Sequence, residues 1–129
     1  MKIFVDSSAW IAFFNKTDDF HKASVSFFKK KPRLISSNIV LHETIAHLQS
    51  HVNRKTAETA AEFILNSLLT ELIFIAEKEE KQSFKKYKKG QRKISFVDWT
   101  NFVLMKENNI RKIFAFDTHF KKMGLQVVP

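Results

Sequence analysis

Four acidic residues spread across the 129-residue chain are candidates for chemistry: Asp6, Glu43, Asp98 and Asp117. Carboxylates gathered without Lys or Arg partners repel one another and hold raised pKa values unless a hard cation neutralises them. Mg2+ or Mn2+ is the expected occupant. Such an ion takes oxygen ligands, keeps several waters and binds through one or two carboxylates plus substrate phosphate, which suits phosphodiester hydrolysis by metal-activated water. Cysteine is absent, which excludes thiolate zinc sites, cysteine nucleophiles and disulfides. Each acid also has a bland use. Asp6 and Asp117 are natural turn or N-cap residues, Asp98 a capping-box partner of Ser95, and Glu43 an ordinary helical Glu.

The elements that must position these acids follow from hydrophobic patterning. Lys2 to Val5 predicts a short buried strand stopping at Asp6-Ser7-Ser8, a capping cluster ahead of the apolar run AWIAFF. Asp18-Asp19 is expected to cap a second helix with Phe20, Ala23, Phe27 and Phe28 on its inner face, broken by Pro32. Leu34 to Ser36 predicts a second strand, and Ser37-Asn38 caps a helix from Ile39 to Val52 with Glu43 in its early turns. Lys55 to Leu69 carries a helical stripe of Ala57, Ala60, Ala61, Ile64, Leu65 and Leu68, whose role is structural. A third buried strand is expected at Leu72 to Ala76, then a basic helix ending in a loop at Gly90. Ser95 caps the helix bearing Asp98, which runs to Asn109. Lys112 to Phe116 predicts a fourth strand ending at Asp117, and Leu125 to Val128 a fifth.

Strands alternating with helices predict a three-layer α/β/α sandwich with a mainly parallel sheet of four to five strands, buried on both faces. In such sheets sites form at the carboxyl ends of strands, where Asp6 and Asp117 are expected. The length suits one domain spanning 1–129, and a hydrophobic fraction of 44% with 14 Phe suits a packed core. The N-terminus lacks the apolar core of a signal peptide, and no stretch is long and apolar enough for a membrane span, so a cytoplasmic protein is expected.

The net charge of +9 is uneven: Lys78 to Lys93 holds eight Lys/Arg against two Glu. Such a strip fits either a polyanionic partner or a solvated helix face. Lys85, Lys86, Lys88, Lys89, Arg92 and Lys93, just before Asp98, are the candidates for contacts to a nucleic-acid backbone. Trp10, Phe13, Phe14, Trp99 and Phe102 adjoin the acids and could stack on unpaired bases, but helical spacing favours core packing. His42-Glu43 followed by His47 is not a zinc-protease signature, because Ala46 stands where the second His is needed. His47 and His51, one turn apart, could share a metal, with a plain surface pair as the simpler reading. His119 is expected to face solvent. Ser7 and Ser8 serve as cap residues, and Ser8 could orient a carboxylate or a metal-bound water.

FVDSSAWIA around Asp6, SNIVLHET around Glu43, ISFVDWTNFVLMKENNI around Asp98 and IFAFDTHFKKMG around Asp117 together resemble the PIN-domain ribonucleases, which include VapC-type toxins of toxin–antitoxin pairs. The resemblance spans nearly the whole chain. It implies that Asp6, Glu43, Asp98 and Asp117 form an acidic catalytic site, with Asp6, Asp98 and Asp117 chiefly holding Mg2+ or Mn2+ and Glu43 completing the cluster. It implies an RNA substrate, a cognate antitoxin and a homodimer. One departure is Ala115, where members often carry a hydroxyl residue, so local hydrogen bonding there must differ. Two other readings are an RNA-processing or decay nuclease with no toxin role and a noncatalytic RNA-binding module.

Overall fold

The computed structural model describes residues 1–129 throughout. Five strands, β1 (Lys2–Val5), β2 (Arg33–Ser37), β3 (Thr70–Ile73), β4 (Lys112–Phe114) and β5 (Gln126–Val128), form one sheet in the order β3-β2-β1-β4-β5. Every pairing is parallel. Around the sheet lie helices α1 (Ser7–Phe14), α2 (His21–Lys29), α3 (Asn38–His51), α4 (Arg54–Asn66), α5 (Glu77–Lys89), α6 (Phe96–Glu107) and α7 (His119–Lys122). From β1 through β3 the chain winds outward in one direction, then crosses back over the sheet to β4. Right-handed crossovers therefore set α1 to α4 on one face and α5 to α7 on the other.

The winding reverses between β1 and β4, whose register pairs Phe4 with Ile113 and Val5 with Phe114. Phe4, Val5, Ile113 and Phe114 are fully buried, because central parallel strands have helices above and below. Local signals set several helix ends. The Ser37 side chain accepts from Val40 N, and Ser95 with Asp98 forms a complete capping box. Asn109, at φ 55°, ends α6 in a left-handed turn in which Ile110 N donates to Met105 O.

Several expectations are corrected. The third strand is Thr70–Ile73 rather than Leu72 to Ala76, and it is a half-covered edge instead of a buried strand. It ends early because Ile75 N donates to the Asn38 side chain, and Phe74 is left exposed. The fourth strand stops at Phe114, since Phe116 N turns aside to donate to Ser8 Oγ. Asp18 does not cap α2; its carboxylate accepts from Phe20 N one turn too early, and Ala23 faces solvent while Ser24 is buried. The Ala57, Ala60 and Ile64 stripe packs as expected, but α4 ends at Asn66 and leaves Leu65 and Leu68 exposed.

Gly90, at the C-terminus of α5, lies flat against the Trp99 ring of α6; a Cβ there would come within 2.6 Å of the indole. This close approach holds the basic helix beside the helix that carries Asp98. No helix is long and apolar enough to cross a membrane.

Candidate active site

The four acids arrive from four separate elements. Asp6 follows β1 and is the N-cap of α1, Glu43 lies in the second turn of α3, Asp98 is the third residue of α6, and Asp117 sits three residues beyond β4. β1 and β4 are the strands flanking the reversal of winding, where a crevice opens at the carboxyl ends. Asp6 is 2% exposed and Asp98 9%, whereas Asp117 is exposed.

Hydrogen bonds hold the two innermost carboxylates. Asp6 Oδ2 accepts from Ser8 N at 3.2 Å and Ser8 Oγ at 2.7 Å, while its Oδ1 accepts from Asn101 Nδ2 at 3.2 Å. Ser7 Oγ donates to Glu43 Oε1. Asp98 Oδ2 accepts from Ser95 N at 3.1 Å and lies 2.9 Å from His119 Nε2, at ion-pair distance but out of hydrogen-bond alignment. Asp98 thus serves as capping residue and crevice acid together. Ser8 also links the two strand ends, because its Oγ accepts from Phe116 N at 3.1 Å. The hydroxyl missing at Ala115, itself buried, is in this way supplied from across the crevice.

Burial pushes the Asp6 pKa from 3.8 up to about 7, its Ser8 hydrogen bonds oppose the rise, and Asp98 and Glu43 add to it. Glu43 is likewise raised by burial, against the pull of Ser7, with repulsion from Asp98 and Asp117 adding to the effect. Mutual repulsion therefore connects all four acids. None has a Lys or Arg within salt-bridge distance.

A hard divalent cation fits this donor set. The available donors are all oxygen, the repulsion is unrelieved, and buried Asn101 Oδ1 has no partner. Nowhere do three His, Asp or Glu side chains converge into a ready-made cage. Magnesium does not require one, because it retains waters and takes only one or two carboxylates directly.

Three neighbours of the acids escaped the sequence reading. Asn101 is fully buried one turn after Asp98 and reaches Asp6 across 95 residues of chain. His119, expected in solvent, is held against Asp98 with its side chain 26% exposed. Ser7 engages Glu43 rather than serving only as a cap residue. Spacing on α6 could have placed Asn101 near Asp98, but not its contact with Asp6.

Lys85, Lys86, Lys88, Lys89, Arg92 and Lys93 are all exposed along α5 and the turn leading to Asp98. Lys85, Lys86 and Lys89 line a groove of about 580 Å³ between α5 and α6, together with Phe102 and Lys106. The Lys86 and Lys106 ammonium groups lie 5.7 and 5.5 Å from the Phe102 ring. Trp10, in contrast, is wholly buried.

Comparison with known proteins gives a consistent picture. The PIN domain family model matches residues 3–125. The chain is 32% identical over 123 residues to the 23S rRNA-specific endonuclease VapC20 of Mycobacterium tuberculosis, covering 95% of this chain and 94% of that protein. The crystal structure of VapC20, a sarcin–ricin-loop-cleaving toxin, superposes with a TM-score of 0.90 at 31% identity over 95% of both chains. VapBC2 from Rickettsia felis, bound to a DNA fragment from its promoter, and FitAcB from Neisseria gonorrhoeae share the fold at TM-scores of 0.70, with 16% and 15% identity. The alignments cover 99% of this chain and 98% of the first, and 100% of this chain and 97% of the second.

Proposed function

Because this chain belongs to the PIN-domain family, we propose that it is a divalent-metal-dependent endoribonuclease acting as a single unit over 1–129, the toxin of a toxin–antitoxin pair. The observation that carries the reading is the meeting of four acids from four elements, with no basic partner among Lys and Arg, at the carboxyl ends of β1 and β4. The relationship to VapC20, a 23S rRNA-specific endonuclease, supports RNA as substrate and ribosomal RNA as its class. It equally supports an inhibitory antitoxin partner, self-association and a cytoplasmic site of action. The presence of all four acids argues against a noncatalytic binding module.

Asp6, Asp98 and Asp117 would hold Mg2+ or Mn2+, with Glu43 completing the negative rim. When bound, the ion supplies an activated water and neutralises charge developing on the phosphate. Ser8 and Asn101 fix the Asp6 carboxylate, and Ser7 fixes Glu43. His119 holds Asp98 from the side of the Asp117 loop. The lysines of α5, with Arg92 and Lys93, bind the RNA backbone beside the acids and contribute affinity without base specificity.

The direct test is cleavage of a ribosomal-RNA hairpin and a single-stranded control, with MgCl2 or MnCl2 and with EDTA. Cleavage that depends on either metal and stops with chelator is expected; full activity in EDTA would sink the metal-dependent reading. Combined charge reversal at Lys85, Lys86, Lys88 and Lys89 should weaken RNA binding and flatten its salt dependence, by a logarithmic slope of about 0.9 for each duplex phosphate that is no longer neutralised. An unaltered slope would reassign those lysines to solubility.

A further inference from the structure

Away from the acidic crevice, the fold brings two imidazoles face to face. His47 and His51, one turn apart on α3, stack with ring centroids 4.1 Å apart and planes within 13°. Like-charged rings would repel at this separation. Consistent with a neutral pair, the His47 pKa is lowered by burial and by His51, against an upward pull from Asp18.

The tautomer of His51 is set by its surroundings. Its Nδ1 lies 3.1 Å from the His47 backbone oxygen, which can only accept, so Nδ1 carries the proton and donates. Nε2 is therefore left with a free lone pair. This is how proteins hold metal-binding histidines, with the remote ring nitrogen donating to a carbonyl and the other presented to the ion. Asp18, half-buried in the turn between α1 and α2, supplies a nearby negative charge. One of its oxygens accepts from Phe20 N at 2.8 Å, and neither is engaged by Lys or Arg.

We propose that His47 and His51 form a second cation site, selective for a transition-metal ion such as Zn2+ or Ni2+, with two imidazole ligands, waters completing the coordination and Asp18 as counter-charge. Imidazole prefers Zn2+, Ni2+ and Cu2+, whereas Mg2+ seeks oxygen, so this site and the acidic crevice discriminate by ligand chemistry. Glu43, His47 and His51 occupy successive turns of one helix face, about 6 Å apart along the axis. An ion bound there adds positive charge beside the crevice. The proposal does not depend on the nuclease reading.

The test is titration of the full chain with ZnCl2 in buffer containing millimolar MgCl2, followed by calorimetry and by histidine ring NMR. One saturable zinc is expected, with the His47 and His51 ring resonances moving together. His47→Gln and His51→Gln should each weaken binding by at least about tenfold, and Asp18→Asn by less. All three positions lie at the surface, and circular dichroism of each variant establishes that it is folded. Zinc binding unaffected by either histidine substitution, or resonance shifts confined to other histidines, would overturn the site; unchanged affinity in Asp18→Asn would overturn the part given to Asp18.

Discussion

Asp6→Asn should reduce RNA cleavage by about a hundredfold or more and at the same time make the metal-free protein harder to unfold at and above neutral pH. The two effects share a cause. A carboxylate 2% exposed, facing Asp98 and Glu43, is kept at the cost of stability because the unfolded chain would hydrate it freely. The folded pKa of about 7 lies above the unfolded value of 3.8, so the folded state binds the proton more tightly. Its stabilising contribution is complete below pH 3.8, falls as pH rises, and is lost above about 7, by about 4 kcal/mol in all.

Asparagine has no charge to bury and should avoid that loss. The geometry accommodates it, since the new amide oxygen can accept from Ser8. Rotation of the Asn101 amide then offers its unpartnered Oδ1 to the new amide nitrogen. Thermal unfolding of both proteins in EDTA from about pH 3.5 to 8.5 checks this. The variant's advantage should be near zero at the acid end, grow between about pH 4 and 7, and level off above. An advantage independent of pH, or cleavage at the wild-type rate, would contradict it.

The second large effect is on the fold. Trp10→Ala should cost about 3 to 5 kcal/mol, a large share of the net stability of a domain this size. Trp10 is wholly buried, stacks on Phe28 with centroids 5.0 Å apart, lies 6.4 Å from Phe14 and meets Phe63 edge-on at 6.3 Å. Its Nε1 donates to Ser36 Oγ at 3.3 Å, and that hydroxyl donates to Val5 O. The indole thus joins α1 to both β1 and β2 directly behind Asp6. Trp10→Phe, which retains most of the volume, should lose much less. Denaturant unfolding measures both. If Trp10 stacked on RNA instead, the alanine variant would keep its midpoint and lose only affinity for RNA.

The acidic crevice illustrates where reading residues along the chain reaches its limit. Asp6, Asp98 and Asp117 were recognisable because their placement depends on local rules: an apolar run ending in Asp-Ser-Ser, a Ser three residues before an Asp, and a strand running into a turn. Glu43 rested on resemblance to the family, since a helical Glu has no local signature. The central strands were legible from their apolar runs. The edge strand was not, because its end is decided by Asn38, 37 residues away in the chain, taking the Ile75 amide.

By itself, then, the sequence determined an α/β chain with oxygen-only metal chemistry beside a basic helix, because periodicity, capping and the lack of cysteine act over short distances or over composition. Only the tertiary structure decided that Asn101 and Ser8 grip Asp6, that Ser7 engages Glu43 and that His119 rests on Asp98. Except for Ser8, those partners lie between 21 and 95 residues apart in the chain. The rise of Asp6 to about 7 likewise has no local cause. It comes from burial at the reversal between β1 and β4 and from acids that converge only when the sheet has formed.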